Sequence, residues 1–305
     1  MPDSGPILSG KPMPMDFVTA MNRARVDEIL SRFKRTNTEL LSFYQVTNLI
    51  KPRNECYRGI HPIKVSDIIG SECRYHDFSP AFFPKNPELQ RRWESIERAN
   101  LDNIDLPPIS VFKLGGKYFV RDGNHRVSVA KALGIAFIDA EIVELDSAIK
   151  LHSGMTEQQI IAKLCEYERE RFIEQYHPQD YLPMDEIVFT SVGGYPELVQ
   201  HILVHKYYIN MDKDYEVTFE DAARSWYENI YKPICGSIGR EHMRLHFPGR
   251  TKADLYMWVV RHWDDLKKAD PGVTIDEAGH DYEKKHGKGM LRRWIARIRG
   301  RSGKT

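Results

Sequence analysis

The sequence predicts an α+β protein: a small mixed α/β module with an N-terminal helical arm and an all-helical C-terminal domain. Three observations predict it. Tyr118–Gly134 reads as a short β-run, a tight turn at Asp122-Gly123-Asn124 and a helix, with another strand following at once from Ala136 to Leu145. Before this β-rich stretch, apolar residues recur at helical spacing. After it the pattern is helical almost throughout, with capping residues and Gly or Pro at the breaks.

Residues 1–15 hold Pro2, Pro6, Pro12 and Pro14, which prevent regular structure, so a disordered N-terminus is expected. Asp16 is a candidate N-cap for a helix to about Arg35, with Val18, Met21, Val26, Ile29, Leu30 and Phe33 near helical spacing. A second helical piece, Thr38–Leu49, ends before Lys51-Pro52, because the residue preceding a proline is pushed out of the helical region. Together these make the arm, residues 16–57, and the β-rich module runs from 58 to 146.

The helical domain spans residues 147–283. Thr156-Glu-Gln-Gln159 resembles a capping box and opens a helix through Phe172. Asp180–Ser191 reads as a loop with a β-like run at Ile187–Thr190. Gly193-Gly194 break the chain before a helix that begins at Pro196 and ends near Ile209. Thr218–Tyr231 is a helix expected to stop at Pro233, and Thr251–Lys268 another, with Thr251 and Asp254 in capping positions after a Pro248-Gly249 turn.

A chain of 305 residues with 41% hydrophobic and 29% charged residues describes an ordinary globular protein. No apolar run approaches the roughly 20 residues of a membrane span, and the N-terminus lacks the apolar core of a signal peptide. Cys56, Cys73, Cys165 and Cys235 lack paired spacing, which points to reduced thiols in a cytoplasm and to neither a zinc site nor a disulfide framework. The formal net charge of +1 hides an asymmetry. Lys284–Thr305 carries nine of the 44 Lys and Arg and no acid, so the remaining 35 bases face all 43 acids and the body is acidic by eight charges.

The candidate site is the Asp122–Arg126 turn. A glycine turn feeding a helix leaves unpaired N–H groups converging on one spot, with the positive end of the helix dipole behind them, and a phosphate is the natural occupant. An ordinary turn needs only the Asp-Gly pair. The Asn, His and Arg that follow are surplus to folding, which favours a ligand. Gly123, Asn124, His125 and Arg126 are the expected phosphate contacts, with Arg126 making charge-assisted bonds. Asp122 and Asn124 are the candidate oxygen ligands for a magnesium ion.

Asp122-Gly123-Asn124-His125-Arg126, with the Ala-Lys-Ala-Leu-Gly134 ending, resembles the phosphate-binding motif of the ParB/sulfiredoxin-like superfamily. ParB partition proteins carry a Gly-Glu-Arg-Arg-type sequence there, sulfiredoxins a Gly-Cys-His-Arg one, and ADP-dependent free-serine kinases an Asp-Gly-His-His-Arg-type one. His61–Ile69 resembles the family's first strand, Pro87–Asn100 its helix, and Pro108–Phe112 with Lys117–Arg121 its central hairpin. The resemblance implies a ParB/sulfiredoxin-like module and a bound nucleotide (CTP, ATP or ADP) with magnesium. It also puts Gly70–Phe78 where ParB-type proteins lay an Arg-ended loop against the triphosphate. Arg74 is then a phosphate clamp, and Glu72, His76 or Asp77 a base or metal ligand; Asp122, His125 and Glu72 are the candidate catalytic groups. Two departures narrow the chemistry. Asn124 stands where sulfiredoxins have their cysteine, which argues against peroxiredoxin repair. Asp146–Gly154 lacks the Glu-Asn-Leu-Gln-Arg-type motif, which argues against a CTP clamp.

Other features read as structural. His201 and His205 share a helix face at metal-ligand spacing, but no carboxylate completes the pattern, and polar-edge histidines of a packed helix suffice. Tyr195, Tyr207, Tyr208, Trp226, Tyr227, Tyr231, Tyr256, Trp258 and Trp263 are at helical spacing and are expected in the core rather than as base-stacking platforms. Ser225–Tyr231 with Phe247–Tyr256 resembles a helical extension of bacterial ParB-like proteins. Met290–Arg299 is amphipathic, with Leu291, Trp294, Ile295 and Ile298 in one stripe; Arg292, Arg293, Arg297 and Arg299 suit nucleic acid or an anionic membrane surface, and equally a helix packed on the acidic body or a solvated tail.

The resulting expectation is a nucleoside-phosphate-binding ParB-like protein, with magnesium-dependent hydrolysis or phosphoryl transfer as its chemistry and oligomerisation open. The rival is a non-enzymatic ParB-type DNA-binding regulator that uses the basic tail. A nuclease is weaker, because no carboxylate cluster for two metals is evident.

Overall fold

The structure, a computed structural model, describes residues 15–34, 39–211, 213–240, 246–282 and 284–285. Of residues 1–15, expected to be disordered, only Met15 is described, and it is buried in the core; residues 1–14 and the expected basic helix bearing Arg292, Arg293, Arg297 and Arg299 lie outside the described residues. The chain forms two compact units, divided at Ile160/Ile161 inside one helix.

The first unit is mixed α/β. Helix α1 (Phe17–Lys34) starts where expected, with Asp16 Oδ1 accepting from Thr19 N–H at 2.7 Å. It buries Phe17, Ala20 and Ala24, whereas Val18, Val26, Ile29, Leu30 and Phe33 stay exposed. The expected apolar stripe is therefore mostly not the buried one. Strand β1 (Leu41–Ser42) interrupts the region read as helix from Thr38, and α2 (Phe43–Ile50) follows it. Two residues of extended chain carry no readable period, and their pairing with a distant strand is tertiary.

Strands β2 (Glu55–Lys64) and β3 (Ile68–Ser71) replace the single strand expected over His61–Ile69; a 3-10 turn at Val65–Asp67 divides them. The apolar pattern spans the turn because both strands dip into the core on either side of it. Helix α3 (Gln90–Leu101), the hairpin β4 (Ile109–Leu114) and β5 (Lys117–Asp122), helix α4 (Asn124–Ala132) and strand β6 (Phe137–Leu145) complete the module. The hairpin turn is Gly115-Gly116, both residues at positive φ, as a two-residue turn between twisted strands requires. The sheet order is β1-β3-β5-β4-β6-β2. β1/β3, β3/β5 and β4/β6 are parallel, and β4/β5 and β2/β6 antiparallel. Residues 16–57, expected as a helical arm, thus contribute β1 and the start of β2 to this sheet.

Helix α4 is buried along most of its length. Its small Ser128, Ala130 and Ala132 allow close packing, and Trp93 of α3, itself fully buried, donates Nε1–H to Ser128 Oγ at 2.9 Å. Ile68, Phe78, Phe82, Ile109, Val111 and Val127 fill the core around it.

The second unit is helical. Helix α5 (Glu157–Tyr176) opens with the expected box: Thr156 N–H donates to Gln159 Oε1 at 2.9 Å and Gln159 N–H returns to Thr156 Oγ1 at 3.3 Å. Helices α6 (Gly194–Asn210), α7 (Phe219–Trp226), α8 (Lys232–Arg240), α9 (Lys252–Ala269) and α10 (Ile275–Tyr282) follow. Two expectations fail here, and α10 was not foreseen. The chain does not stop at Pro233; a π-helical turn at Tyr227–Tyr231 widens the helix just before it and lets α8 continue. Ile187–Thr190 forms no strand, because side chains take up its backbone groups. Tyr195 Oη–H donates to Ile187 O at 3.0 Å, and Thr190 N–H donates to buried Asp254 at 3.0 Å. Asp254 also closes the α9 capping box with Thr251.

Of the aromatics, Tyr195, Trp226, Tyr231 and Tyr256 are core, whereas Tyr207 and Tyr208 are exposed on α6. His201 Nδ1 lies 3.0 Å from Tyr256 Oη and His205 Nε2 2.9 Å from Ser225 Oγ, so both histidines bind helices to one another. No described helix is long and apolar enough to cross a membrane. Cys56, Cys73, Cys165 and Cys235 are free thiols.

Candidate functional site

Strand β5 ends at Asp122, and Gly123 turns the chain with φ +100°. No other residue fits: a Cβ there would stand 2.5 Å from Ile109 Cγ2. The first intrahelical bond of α4 runs from Val127 N–H to Gly123 O at 3.0 Å. The N–H groups of Asn124, His125 and Arg126 precede it and have no intrahelical acceptor. These residues, with Arg74, Arg92, Ile96, Asp122 and Gly123, line a cavity of about 100 Å³.

Asn124 and His125 are 7% and 5% exposed, yet Asn124 Oδ1 and His125 Nδ1 have no hydrogen-bond partner. Each buried unpaired polar group costs about 1–3 kcal/mol. Two on adjacent residues are a site awaiting a ligand or a poorly built core, and a cavity lined by both residues favours the ligand.

The histidine tautomer follows from its neighbour. Arg74 Nη1 lies 2.8 Å from His125 Nε2, and a guanidinium only donates, so Nε2 accepts and Nδ1 carries the proton. Burial pulls the His125 pKa down to about 4, with Arg74 and Arg92 pushing the same way and Asp77 opposing. His125 is therefore a neutral imidazole near pH 7 that offers Nδ1–H as a donor. Its Nε2 is already engaged.

Arg74 is held in turn. Its Nε donates to Asp77 Oδ2 at 2.6 Å and its backbone N–H to Ser71 Oγ at 3.1 Å. Arg126 is more fully committed: Nη2 donates to Asp122 Oδ2 at 2.6 Å and Nη1 to the carbonyls of Pro108, at 2.9 Å, and Pro107. It lines the cavity, but its donors staple the turn to the start of β4. Glu72 does not line the cavity; it accepts from Tyr44 Oη–H at 2.8 Å. His76 pairs with Glu39 at 3.0 Å. The structure therefore gathers Arg74, Asp122, Gly123, Asn124, His125 and Arg126 and leaves Glu72 apart. It adds Arg92 and Ile96 of α3, which the sequence reading did not single out. They lie some thirty residues upstream, and only the docking of α3 on α4 through Trp93 and Ser128 brings them in.

Two larger cavities are less suited to chemistry. One of about 750 Å³ runs beside Gly115-Gly116 and Leu145–His152. Several of its charges are already paired, Glu144 taking Lys113 at 2.8 Å and Arg58 at 2.7 Å, while Asp146 caps the N–H groups of Arg53 and Asn54. The other, about 480 Å³, is largely apolar and lies beside Lys131. Burial lowers the Lys131 pKa to about 8, but its ammonium bonds Ile68 O at 3.0 Å. Among the described residues no group of three or more His, Cys, Asp and Glu is arranged to hold a metal.

Comparison with known proteins adds a likeness and no family. No protein-family model matches the chain. No curated protein matches it either. The chain is similar to ParB N-domains. Two solved structures of a pNOB8-like ParB N-domain each share 12% identity with it, at a TM-score of 0.22. One similarity covers 72% of this chain and 85% of that one; the other covers 73% and 82%. At that score the likeness carries no argument about fold or function, which rest on the geometry above.

Proposed function

We propose that this protein binds a nucleoside phosphate, with one phosphoryl group seated at the start of α4. The observation that carries this reading is the buried, unpartnered His125 Nδ1, a donor, at the start of a nine-residue helix, with the adjacent and equally unpartnered acceptor Asn124 Oδ1 placed to suit a cation that accompanies the phosphate. A phosphoryl oxygen accepts from His125 Nδ1–H and from the first N–H groups of that helix, and the helix dipole favours its charge. Gly123 keeps the approach open, while Arg74, oriented by Asp77, and Arg126, held by Asp122 and two carbonyls, add positive charge around it. At about 100 Å³ the cavity is well below the roughly 300–1,000 Å³ of pockets that enclose a whole small ligand, so the sugar and base lie outside it.

Asn124 Oδ1 and the Asp122 oxygen not held by Arg126 are the oxygens available to a magnesium ion arriving with the nucleotide, a donor set that suits an ion taking most ligands from phosphates and water. Such an ion supplies charge neutralisation. The geometry supports binding more directly than turnover. His125 Nε2 is engaged by Arg74, Asp122 by Arg126 and Glu72 by Tyr44, so hydrolysis or phosphoryl transfer requires one of these pairs to open. The second reading, a DNA-binding regulator, draws on one observation, the nine bases of Lys284–Thr305.

The test is titration calorimetry with CTP, ATP, ADP and pyrophosphate, with and without magnesium, on wild type and Asn124→Ala. Saturable binding by wild type is expected, weakened about tenfold or more by Asn124→Ala in the presence of magnesium. Binding to duplex DNA with no response to any of the four anions would favour the second reading.

A further inference from the structure

Three arginines line the cavity, and two are already committed. Arg126 gives its donors to Asp122 and to the carbonyls of Pro107 and Pro108. Arg74 gives Nε to Asp77 and Nη1 to His125. Arg92 has no hydrogen bond or ion pair among the described residues, although it lies on the same helix as Glu94 and Glu97 and close behind Glu88. Glu94 accepts from Gln90 at 2.7 Å and Glu88 from Asn86 at 3.3 Å. The Arg92 guanidinium is near enough to His125 to depress the protonation of its imidazole, so its field reaches the floor of the site.

We propose that Arg92 is the cation that meets the ligand's phosphoryl charge, and that Arg126 serves as the staple of the turn. This rests on the phosphoryl reading given above. The division of labour follows from what each group would lose. Turning Arg126 onto a ligand strips a carboxylate and two backbone carbonyls of their donor. Turning Arg92 onto a ligand breaks nothing and exchanges water for a charge-assisted pair. Its five donors on a planar fork suit two oxygens of one phosphoryl group. The seat of the anion is then built from two directions, polar atoms of α4 below and Arg92 of α3 at the rim. Trp93, next in sequence to Arg92, fixes the rim to the floor through its bond to Ser128.

The experiment is calorimetric titration of the full chain with pyrophosphate and with ATP, comparing wild type, Arg92→Ala, Arg92→Lys and Arg91→Ala. Arg91 is an exposed neighbour that does not line the cavity and removes the same formal charge. Arg92→Ala is expected to weaken both ligands about ten- to a hundredfold, Arg92→Lys to recover part of that, and Arg91→Ala to stay within about twofold. Thermal unfolding of each variant checks that the fold is retained. Equal affinity for Arg92→Ala and wild type, or equal losses for Arg92→Ala and Arg91→Ala, overturns the role of Arg92 and leaves the phosphoryl reading standing. No binding of either anion by wild type overturns both.

Discussion

At the scale of single residues, Gly123 carries the site. Its φ of +100° lets β5 turn straight into α4, so the first three residues of the helix line the cavity. Gly123→Ala is expected to lose about 1–2 kcal/mol from the backbone alone, with more from the overlap with Ile109 Cγ2. Denaturant unfolding reads this loss, and a change within about 0.5 kcal/mol would mean the turn relaxes without cost. The turn was legible in the sequence because Asp-Gly before Asn-His-Arg is a local pattern. Its internal wiring was not. Arg126 reads as a free cation until Pro107 and Pro108 are seen beneath it, and Arg92 reads as one more charge on a solvated helix. Glu72 reads as a base until Tyr44 is found against it. All three depend on residues remote in sequence, as partners for Arg126 and Glu72 and as the facing wall of the cavity for Arg92.

At the scale of elements, helix α6 holds its neighbours through neutral histidines. Burial lowers the pKa of His201 and of His205; around His201, Glu197 and Asp264 oppose burial and Arg261 reinforces it. Each folded imidazole resists a proton that the unfolded chain accepts near pH 6.5. The unfolded state therefore binds more protons as pH falls below that value, and the stability these residues contribute is present above pH 6.5 and lost below it. The pair His201→Gln and His205→Gln is expected to flatten the fall of the unfolding midpoint between about pH 6.5 and 5, measured by calorimetry. Parallel curves for variant and wild type would contradict this. Element existence in this half followed from capping residues, Thr156 with Gln159 and Thr251 with Asp254, which act within one turn. What escaped were segments ruled by distant contacts: Ile187–Thr190, tied down by Tyr195 and Asp254 instead of a sheet partner, and the continuation through Pro233, which the π turn permits. The two-residue strand β1 escaped for the same reason.

At the scale of the whole molecule, the mixed α/β module was legible because β5, the turn, α4 and β6 follow one another without interruption. The sheet order was not, since β1 and β2 reach its two edges from a region whose local pattern is helical or polar. The basic segment Lys284–Thr305 is a separate matter of charge. An acidic body with nine bases in its last 22 residues (284 to 305) concentrates its attraction for polyanions there. Deleting 284–305 is expected to weaken binding to duplex DNA or anionic vesicles and to flatten its salt dependence, while pyrophosphate affinity stays unchanged. Unchanged polyanion binding would assign the segment no such role, and a collapse of pyrophosphate affinity would couple it to the α4 cleft.

The most direct test of the phosphoryl site reads His125 itself, by long-range proton–nitrogen correlation spectra of protein labelled with nitrogen-15 in its 12 histidines. His125→Gln identifies the resonance. The expected spectrum near neutral pH is that of a neutral imidazole protonated at Nδ1, whose Nδ1–H shifts and becomes protected from exchange as pyrophosphate is added. A His125 protonated at Nε2, or one untouched at pyrophosphate concentrations that saturate the protein by calorimetry, would contradict a phosphoryl group seated at the start of α4.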